Sequence, residues 1–573
     1  MEVVDTIYKS EVDLMEFPQN LAVMLAQNAE KFSNLPVYQE IKKNSEYEPL
    51  TWSQFIKEVS SIQDYLVSTG FKSGDHLAIL SANRQEMLEI ELAVMAMGGR
   101  VVPIFSGYAA EKADTLVNFC DAEYVAVADE VQLAKISVPD KFKNIIHFEK
   151  VSRPARNLIH FEEILSSGSA HKLLGSHMDK QAVCLMMYTS GTMGKPKLVQ
   201  LTHENILSQQ AAMKVLWNLK STDRFLSYLP WHHSFGGIFE KYSAICSGAV
   251  LSLENSFGKN VDQMISNWDK VKPTVFFSVP RIYQALTTLM GQNPEIEKLI
   301  FHDELRFVFT AAASLPQHIS DIFEKKNIPV YEGWGLTETS PCCTVTNPAL
   351  PRKPGIVGNP IPGVSLKLSE EDEIFVKGLN VMSGYYHNME ATEKVLLKDG
   401  WFCTGDVGEI NETGLKLISR IDRIFKLTNA EKVIPTEIEN ILYRDCAYMS
   451  HVYVAGSGKD YPVVLVFPNK AMFKETPDPS QLMEGCKCPN NLDEYFSCLK
   501  SCLVNWNGSI DAKYSRLKKA RILDYELSIE NEELTPSMKL APNVVGRVFE
   551  SEIESLYQSE DDQPKPVYII NIE

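Results

Sequence analysis

Two hydrophobic periods alternate along the first two-thirds of the chain. Phe17 to Phe32 spaces its apolar residues three and four apart, the pattern of an amphipathic helix. The turn-forming Gly70-Phe-Lys-Ser-Gly-Asp75 precedes a short continuous apolar run, His76-Leu-Ala-Ile-Leu80, which predicts a buried strand. Gln85 to Met97 then reads as a helix, and Gly98-Gly99 leads into the strand Arg100-Val-Val-Pro-Ile104. Leu50-Thr-Trp-Ser-Gln54 opens another helix, with Thr51 or Ser53 as its cap. A strand–helix–strand rhythm over residues 17–170 predicts a parallel sheet flanked by helices. The rhythm recurs from 181 to about 340, with strands at Ala182-Val-Cys-Leu-Met-Met187, Thr274-Val-Phe-Phe-Ser278 and Leu305-Arg-Phe-Val-Phe309.

After about residue 350 glycine and proline become frequent, and short runs such as Glu373-Ile-Phe-Val-Lys377 point to a small β-rich subdomain. Near Arg420-Ile-Asp-Arg423 the texture shifts to a mixed α/β tail. The expected fold class is therefore α/β. A large N-terminal domain, residues 1–421, combines parallel βαβ subdomains with the β-rich one, and a smaller α+β C-terminal domain spans 422–573. The acidic, proline-bearing residues after Tyr557 read as a mobile tail.

Bulk properties narrow the function classes. A chain of 573 residues exceeds the roughly 250–300 that one core supports, so several domains are expected. A net charge of −18 offers no excess positive charge to offset phosphates, which disfavours nucleic acid as a general partner while leaving room for a local basic patch. The densest basic run, Lys513-Tyr-Ser-Arg-Leu-Lys-Lys519 with Arg521, reads as a solvated face; a site for CoA phosphates or anionic lipid is the alternative. Eleven cysteines lack framework spacing and the start, Met1-Glu-Val-Val-Asp5, lacks a signal-peptide pattern, so a cytoplasmic, reducing setting is expected. Cys486, Cys488, Cys498 and Cys502 gather in an insertion, with a spacing unlike the usual zinc patterns. No apolar run reaches the ~18 residues of a membrane span. Met87 to Met97 carries Glu89 and Glu91 and reads as a packed helix. A lipid substrate would be met from outside the bilayer, which leaves room for a peripheral membrane contact. The oligomeric state cannot be read.

The chemistry sits in a few strings. The strand at 182–187 runs into Tyr188-Thr-Ser-Gly-Thr-Met-Gly-Lys-Pro-Lys197. Gly191 and Gly194 let backbone N–H groups approach an anion, Thr189, Ser190 and Thr192 add hydroxyls, and Lys195 and Lys197 add charge. This is a phosphate-holding composition without the Walker A spacing. In Tyr331-Glu-Gly-Trp-Gly-Leu-Thr-Glu-Thr-Ser340, Gly335 and its neighbours let a planar ligand lie against Trp334 and exposed backbone. Thr337 adds a hydroxyl, and Glu338 a hard oxygen donor suited to Mg²⁺ on ATP phosphates. The plainer alternative is a strand end with a helix cap at Thr337. In Asp399-Gly-Trp-Phe-Cys-Thr-Gly-Asp406, turn glycines hold a carboxylate able to accept two hydrogen bonds from a ribose diol. Leu534-Thr-Pro-Ser-Met-Lys-Leu540 sets a lysine after a proline turn, and Leu229-Pro-Trp-His-His233 sets a histidine on an apolar stretch. Taken alone, that lysine is an exposed residue and that histidine a core one as readily as a functional group.

In this order the strings resemble the motifs of the adenylate-forming superfamily, which holds acyl-CoA synthetases, luciferases and the adenylation domains of peptide synthetases. The resemblance runs from about residue 20 to 557. Its texture is nearest the long-chain and bubblegum-type fatty acyl-CoA synthetases, through Val279-Pro-Arg-Ile-Tyr283, Arg423-Ile-Phe-Lys-Leu-Thr-Asn429 and the Leu534 segment. It implies a ligase in which a fatty acid carboxylate attacks the α-phosphate of ATP, giving an acyl-adenylate and pyrophosphate, and a thiol then displaces AMP. It implies that the loop from Thr189 to Lys197 holds phosphates, that Trp334 lies against the adenine or the acyl channel, and that Thr337 contacts the α-phosphate. Glu338 would bind Mg²⁺, Asp406 with Arg420 the ribose, and His233 would floor the carboxylate pocket. Asp422 would be the hinge of a swinging C-terminal domain, and Lys539 the catalytic lysine that neutralises charge developing between carboxylate and phosphate. The acceptor thiol stays open between CoA and the phosphopantetheine of an acyl carrier protein. A reading from another class is a non-catalytic acyl- or nucleotide-binding homologue. The retained Lys195, Lys197, Glu338, Asp406, Arg420 and Lys539 argue against it.

Several positions depart from the pattern. Leu198 and Ala430 stand where glycines are usual, Met193 where Thr or Ser is usual, and Ser314 where proline is usual. Ala541-Pro542 follows Lys539 in place of basic residues. Leu198 is expected either to narrow the backbone approach to phosphate or to start the next strand early. Ala430 is expected to be strained if its φ is positive.

Overall fold

A computed structural model describes the chain except residues 1–5, 43–45, 153–156, 168–172, 190–195, 312, 351, 354, 447, 471–472, 474–488, 536–538, 559–567 and 573. It divides into two compact units. Unit 1 holds residues 1–369, 374–404 and 410–416, and unit 2 holds 370–373, 405–409 and 417–573.

Unit 1 contains the expected parallel sheets. In the first, the strands Val183–Thr189, Arg100–Ile104, His76–Leu80, Tyr124–Val127, Asn144–His147 and Leu158–His160 lie side by side in that order, all parallel. The antiparallel strand Lys197–Thr202 and the short Gly384–Tyr385 continue it beyond Val183–Thr189. The second sheet orders Val250–Leu253, Arg224–Ser227, Val275–Ser278, Phe307–Thr310 and Val330–Gly335, again all parallel. Most of these runs are apolar at their centres, as expected where helices cover both faces of a parallel sheet. Sequence order and sheet membership do not coincide, however. The early strand Pro36–Ile41 pairs with Val250–Leu253 in the second sheet. Past Gly335 the strands turn antiparallel, at Cys342–Val345, Ile356–Pro360 and Val364–Leu368, which is the β-rich part.

Element ends follow local chemistry. The first helix starts at Leu21 rather than Phe17, because Asn20 caps it by accepting a hydrogen bond from Val23 N at 2.9 Å. Thr51 and Gln54 form a capping box for Trp52–Ser68. Leu198 lies in the strand Lys197–Thr202 and is fully buried among Ala78, Val102 and Met186, so it is a core residue of an early-starting strand.

In unit 2 a four-stranded sheet orders Met449–Ala455, Val463–Pro468, Lys519–Ile522 and Ile569–Asn571. Val464 and Val466 pack with Leu442, Leu499 and Leu503 of the helices Pro435–Asp445 and Leu492–Ser509. Val463, Leu465 and Phe467 pack on the other side with Val545 and Phe549. Alternate residues of one strand thus build two cores. The reading of everything after Tyr557 as mobile is corrected, since Ile569–Asn571 pairs antiparallel with Lys519–Arg521. Cys498 and Cys502 lie on the helix Leu492–Ser509, while Cys486 and Cys488 fall outside the described residues. Among the described residues no helix is long and apolar enough to cross a membrane.

Ala430 has φ +66°, in the left-handed region that a Cβ disfavours. Its N–H donates to Leu427 O at 3.0 Å, closing the turn between the paired strands Phe425–Lys426 and Lys432–Val433. Ala430→Gly is expected to stabilise unit 2 by about 0.5–1 kcal/mol, the relieved strain exceeding the extra flexibility of the unfolded glycine chain. Chemical denaturation of the two proteins checks it.

Candidate active site

In unit 1 the strand Val183–Thr189 folds back into Lys197–Thr202 with Thr189 opposite Lys197. Ser190, Gly191, Thr192, Gly194 and Lys195 of the phosphate-type loop, and Met193 among them, lie outside the described residues. The pairing nevertheless sets the two ends of that loop side by side. Lys197 Nζ stands 5.0 Å from the centroid of the Tyr385 ring, a cation–π contact that holds the ammonium in place. Tyr385 reaches it because Gly384–Tyr385 pairs with Val199–Gln200.

The second string ends the strand Val330–Gly335 and forms a short turn, Thr337–Thr339. Leu336, not Thr337, caps this turn, and it is a single 3₁₀ turn rather than a helix start. Leu336 N donates to Thr339 Oγ1 at 3.0 Å. The turn folds so closely onto the strand that a Cβ on Gly335 would sit 1.7 Å from Pro341 O. Glu338 is 9% exposed, and its Oε1 accepts a hydrogen bond from Tyr385 Oη at 2.8 Å. Thr337 Oγ1 donates to Ser234 Oγ at 3.1 Å, which joins this turn to the His233 string. Trp334 sits inside the strand at 7% exposure, so its ring is part of the protein interior.

Asparagines brace the turn from below. Asn380 Nδ2 donates to Thr339 O at 2.8 Å, and Asn205 Nδ2 donates to Leu379 O at 2.7 Å and Val381 O at 2.9 Å. Met382 N donates to Glu338 O at 2.8 Å. Segment 379–386 therefore ties the Glu338 turn to the strand that leaves the phosphate-type loop. Ser234, Tyr385, Asn380 and Asn205 were not singled out from sequence. Each acts through a partner more than 40 residues away or through a bare hydroxyl, and no local pattern signals either.

His233 is partly buried, and its Nδ1 accepts from Phe235 N at 3.3 Å. Its neighbour His232 packs 4.6 Å from Phe105, ring to ring, and burial pushes its pKa down to about 3. Burial likewise pushes His203 down to about 4. Both imidazoles are neutral in the native protein at neutral pH and bind protons more readily once unfolded. Their contribution to stability is therefore complete above about pH 6.5, the ordinary histidine value, and is lost as the pH drops from there towards about 3. Thermal melts at pH 7.5 and pH 5 are expected to show His203→Gln losing less Tm between the two pH values than the wild type does.

Ser314, at the proline position, donates to Glu332, whose carboxyl burial pushes upward and Arg352 pulls back. Arg352 Nε contacts Glu332 Oε2 at 3.1 Å, and Nη2 donates to Leu315 O at 2.5 Å. Ser314 thus gives the buried carboxylate a bond that proline could not.

Unit 2 carries the other cluster. Asp406 is held by Arg420 Nη1 at 3.1 Å, and Arg420 Nε lies 3.7 Å from Asp422. Gly405 supplies the left-handed turn before Asp406, φ +71°, where its N–H donates to Glu373 Oε1 at 2.9 Å. Around Lys539, Leu534 bridges Leu540, Thr535 N donates to Lys539 O at 2.8 Å, and Lys539 N donates to Thr535 Oγ1 at 3.1 Å. This segment hangs on Glu533, 1% exposed, which accepts from Tyr525 Oη at 2.6 Å and Ser528 N at 2.9 Å. Burial by the surrounding protein pushes the Lys539 pKa down, and the charge of Asp406 works in the opposite direction. Pro542 stands at the first position of the helix Pro542–Val548, where a missing N–H costs nothing, which accounts for the departure after Lys539.

The donors suit ATP and Mg²⁺: a held carboxylate, a hydroxyl and an ammonium in unit 1, and a carboxylate, a guanidinium and an ammonium in unit 2. Mg²⁺ asks for only one or two protein carboxylates when phosphates complete its shell, so Glu338 suffices.

The model of the AMP-binding enzyme family matches residues 25–386, well over half the chain. The chain belongs to the AMP-binding enzyme family. The model of the AMP-binding enzyme C-terminal domain matches residues 422–561. Among curated proteins it is similar to the long-chain-fatty-acid–CoA ligase FadD15 of Mycobacterium tuberculosis, 24% identical over 94% of this chain and 97% of the relative. It is also similar to the long-chain-fatty-acid–CoA ligase 5 of Rattus norvegicus, 26% identical over 90% of this chain and 85% of the relative. Among solved structures, the anthranilate CoA ligase AuaEII in complex with anthranoyl-AMP superposes with a TM-score of 0.75 at 18% identity, covering 95% of this chain and 99% of that one. ATP-bound MatB from Rhodopseudomonas palustris gives 0.74 at 20% identity, covering 93% and 100%. This family member thus has the fold of adenylate-forming enzymes.

Proposed function

We propose that this AMP-binding enzyme activates a long-chain fatty acid with ATP and transfers the acyl group to CoA. The observation that carries the substrate class is near full-length similarity to proteins named long-chain fatty acid–CoA ligases. The site supports the chemistry. Lys197 and the loop it ends hold the phosphates, Thr337 and Glu338 face the reacting phosphate, and Asp406 with Arg420 holds the ribose. A bound Mg²⁺ supplies charge neutralisation on the phosphates.

In the first step a carboxylate oxygen bonds to the α-phosphorus while its bond to the β-bridging oxygen breaks, and pyrophosphate leaves. Lys539 neutralises the negative charge gathering between carboxylate and phosphate. Thr337 orients the α-phosphate, and His233 floors the carboxylate pocket. In the second step the thiolate of CoA attacks the acyl carbonyl carbon and AMP leaves. The domain with Lys539, residues 422–573, swings about Asp422 between the steps, so that one nucleotide site on residues 1–421 serves both.

The test is product analysis. Purified protein with ATP, Mg²⁺, CoA and acids of graded chain length should yield acyl-CoA, AMP and pyrophosphate in equal amounts, with the best rate on a long acid. Holo-carrier protein in place of CoA should yield little product. A best rate on an aryl or short acid, or on the carrier, would overturn the reading.

A further inference from the structure

Tyr385 connects two parts of the site that the sequence presents as unrelated. Its hydroxyl donates to Glu338 Oε1 at 2.8 Å, and its ring lies under Lys197 Nζ at 5.0 Å. The residue is 5% exposed and is held by the backbone on both sides. Gly384–Tyr385 pairs with Val199–Gln200, and Tyr385 N donates to Thr392 Oγ1 at 2.9 Å. Tyr386 N donates to Leu198 O at 2.8 Å and Met382 N to Glu338 O at 2.8 Å, so the flanking backbone is fixed to the same two elements. The phenol therefore has little freedom, and neither do the groups it touches.

We propose that Tyr385 is a positioning residue that sets the carboxylate of Glu338 for Mg²⁺ through its hydroxyl and the ammonium of Lys197 for phosphate through its ring. The proposal rests on the reading of Glu338 as the Mg²⁺ ligand. A carboxylate gripped at one oxygen by a neutral donor keeps its charge and loses its rotation, so the other oxygen is presented in one direction. An ammonium over an aromatic face is held without being neutralised by a carboxylate, and its charge stays available to an anion. One side chain thus orients one group of each sign 5.0 Å or less from its own atoms. Outer partners of metal ligands act this way, and their loss weakens metal binding about 10–100-fold.

The two contacts separate by substitution. Tyr385→Phe keeps the ring and removes the hydroxyl, while Tyr385→Leu removes both. The measurement is calorimetric binding of ATP to the full chain, first without divalent metal and then across a Mg²⁺ titration, with Glu338→Gln as the reference. The expected result is that Tyr385→Phe binds metal-free ATP as the wild type does but needs at least tenfold more Mg²⁺ to reach the tight complex, in the direction of Glu338→Gln. Tyr385→Leu is expected to show the same Mg²⁺ shift and also weaker metal-free ATP binding. A Mg²⁺ shift in Glu338→Gln without one in Tyr385→Phe would overturn the role of the hydroxyl and leave the Glu338 reading standing. No shift in Glu338→Gln would overturn that reading and the inference with it. Equal metal-free ATP binding in the Leu and Phe variants would overturn the role of the ring. A loss of fold would lower the enthalpy in both titrations alike and would leave the Mg²⁺ midpoint unchanged.

Discussion

Lys539→Ala is expected to slow acyl-adenylate formation about 10²–10³-fold, equivalent to roughly 3–4 kcal/mol in the transition state, with little change in ATP binding. The lysine is held by paired hydrogen bonds with Thr535, in a segment anchored on the buried Glu533. Its backbone is thus fixed. The charge it offsets is largest when the carboxylate oxygen and the leaving pyrophosphate share the α-phosphorus, so its loss falls on the rate and not on ground-state binding. Surrounding protein holds its pKa below the ordinary lysine value of 10.5. Because the protonated form is the active one, the wild-type rate should begin to fall at a lower alkaline pH than a free lysine would dictate. Rapid-quench measurement of the adenylate, with nucleotide binding in parallel, checks both parts. A mutant that loses ATP affinity but keeps its single-turnover rate would contradict the assignment.

Gly335→Ala is expected to lower both stability and adenylation. The added Cβ would meet Pro341 O at 1.7 Å, Pro341 C at 2.7 Å and Cys342 Cα at 2.9 Å, all backbone atoms that no rotamer change can clear. The cost is at least the ~1–3 kcal/mol of an overpacked core. The part of the chain that must yield is the turn carrying Thr337 and Glu338. A shift of about 1 Å in such groups can cost around 10²-fold in rate. Gly291→Ala is the control, since its Cβ would meet nothing within 4 Å and it lies in the helix Pro280–Gln292, where alanine is favoured. Scanning calorimetry, together with exchange of labelled pyrophosphate into ATP, should show a loss for Gly335→Ala and none for Gly291→Ala. Unchanged exchange in Gly335→Ala would mean that the turn does not serve the reaction.

Much of this was legible in the sequence because it depends on local spacing. Periods in the apolar residues placed the strands His76–Leu80 and Arg100–Ile104 to the residue, and Thr51, one of two cap candidates with Ser53, marked a helix start. Ala430 at a glycine position carried its positive φ in the substitution itself. What depends on distant contacts was not legible. Pro36–Ile41 joins the second sheet because of a pairing with residues more than 200 positions later. Asn205, Asn380 and Tyr385 are ordinary residues in ordinary contexts until the fold brings them to the Glu338 turn. Leu198 shows the opposite limit. Its departure from glycine drew attention to the phosphate-type loop, yet the side chain belongs to the core.

The central claim is that this AMP-binding enzyme forms an acyl-adenylate from a fatty acid. Exchange of labelled pyrophosphate into ATP, measured with and without a long-chain fatty acid, tests it most directly. Exchange that requires the acid, needs no CoA and rises with chain length is the predicted result. Absence of acid-dependent exchange in folded protein that still binds ATP would contradict it.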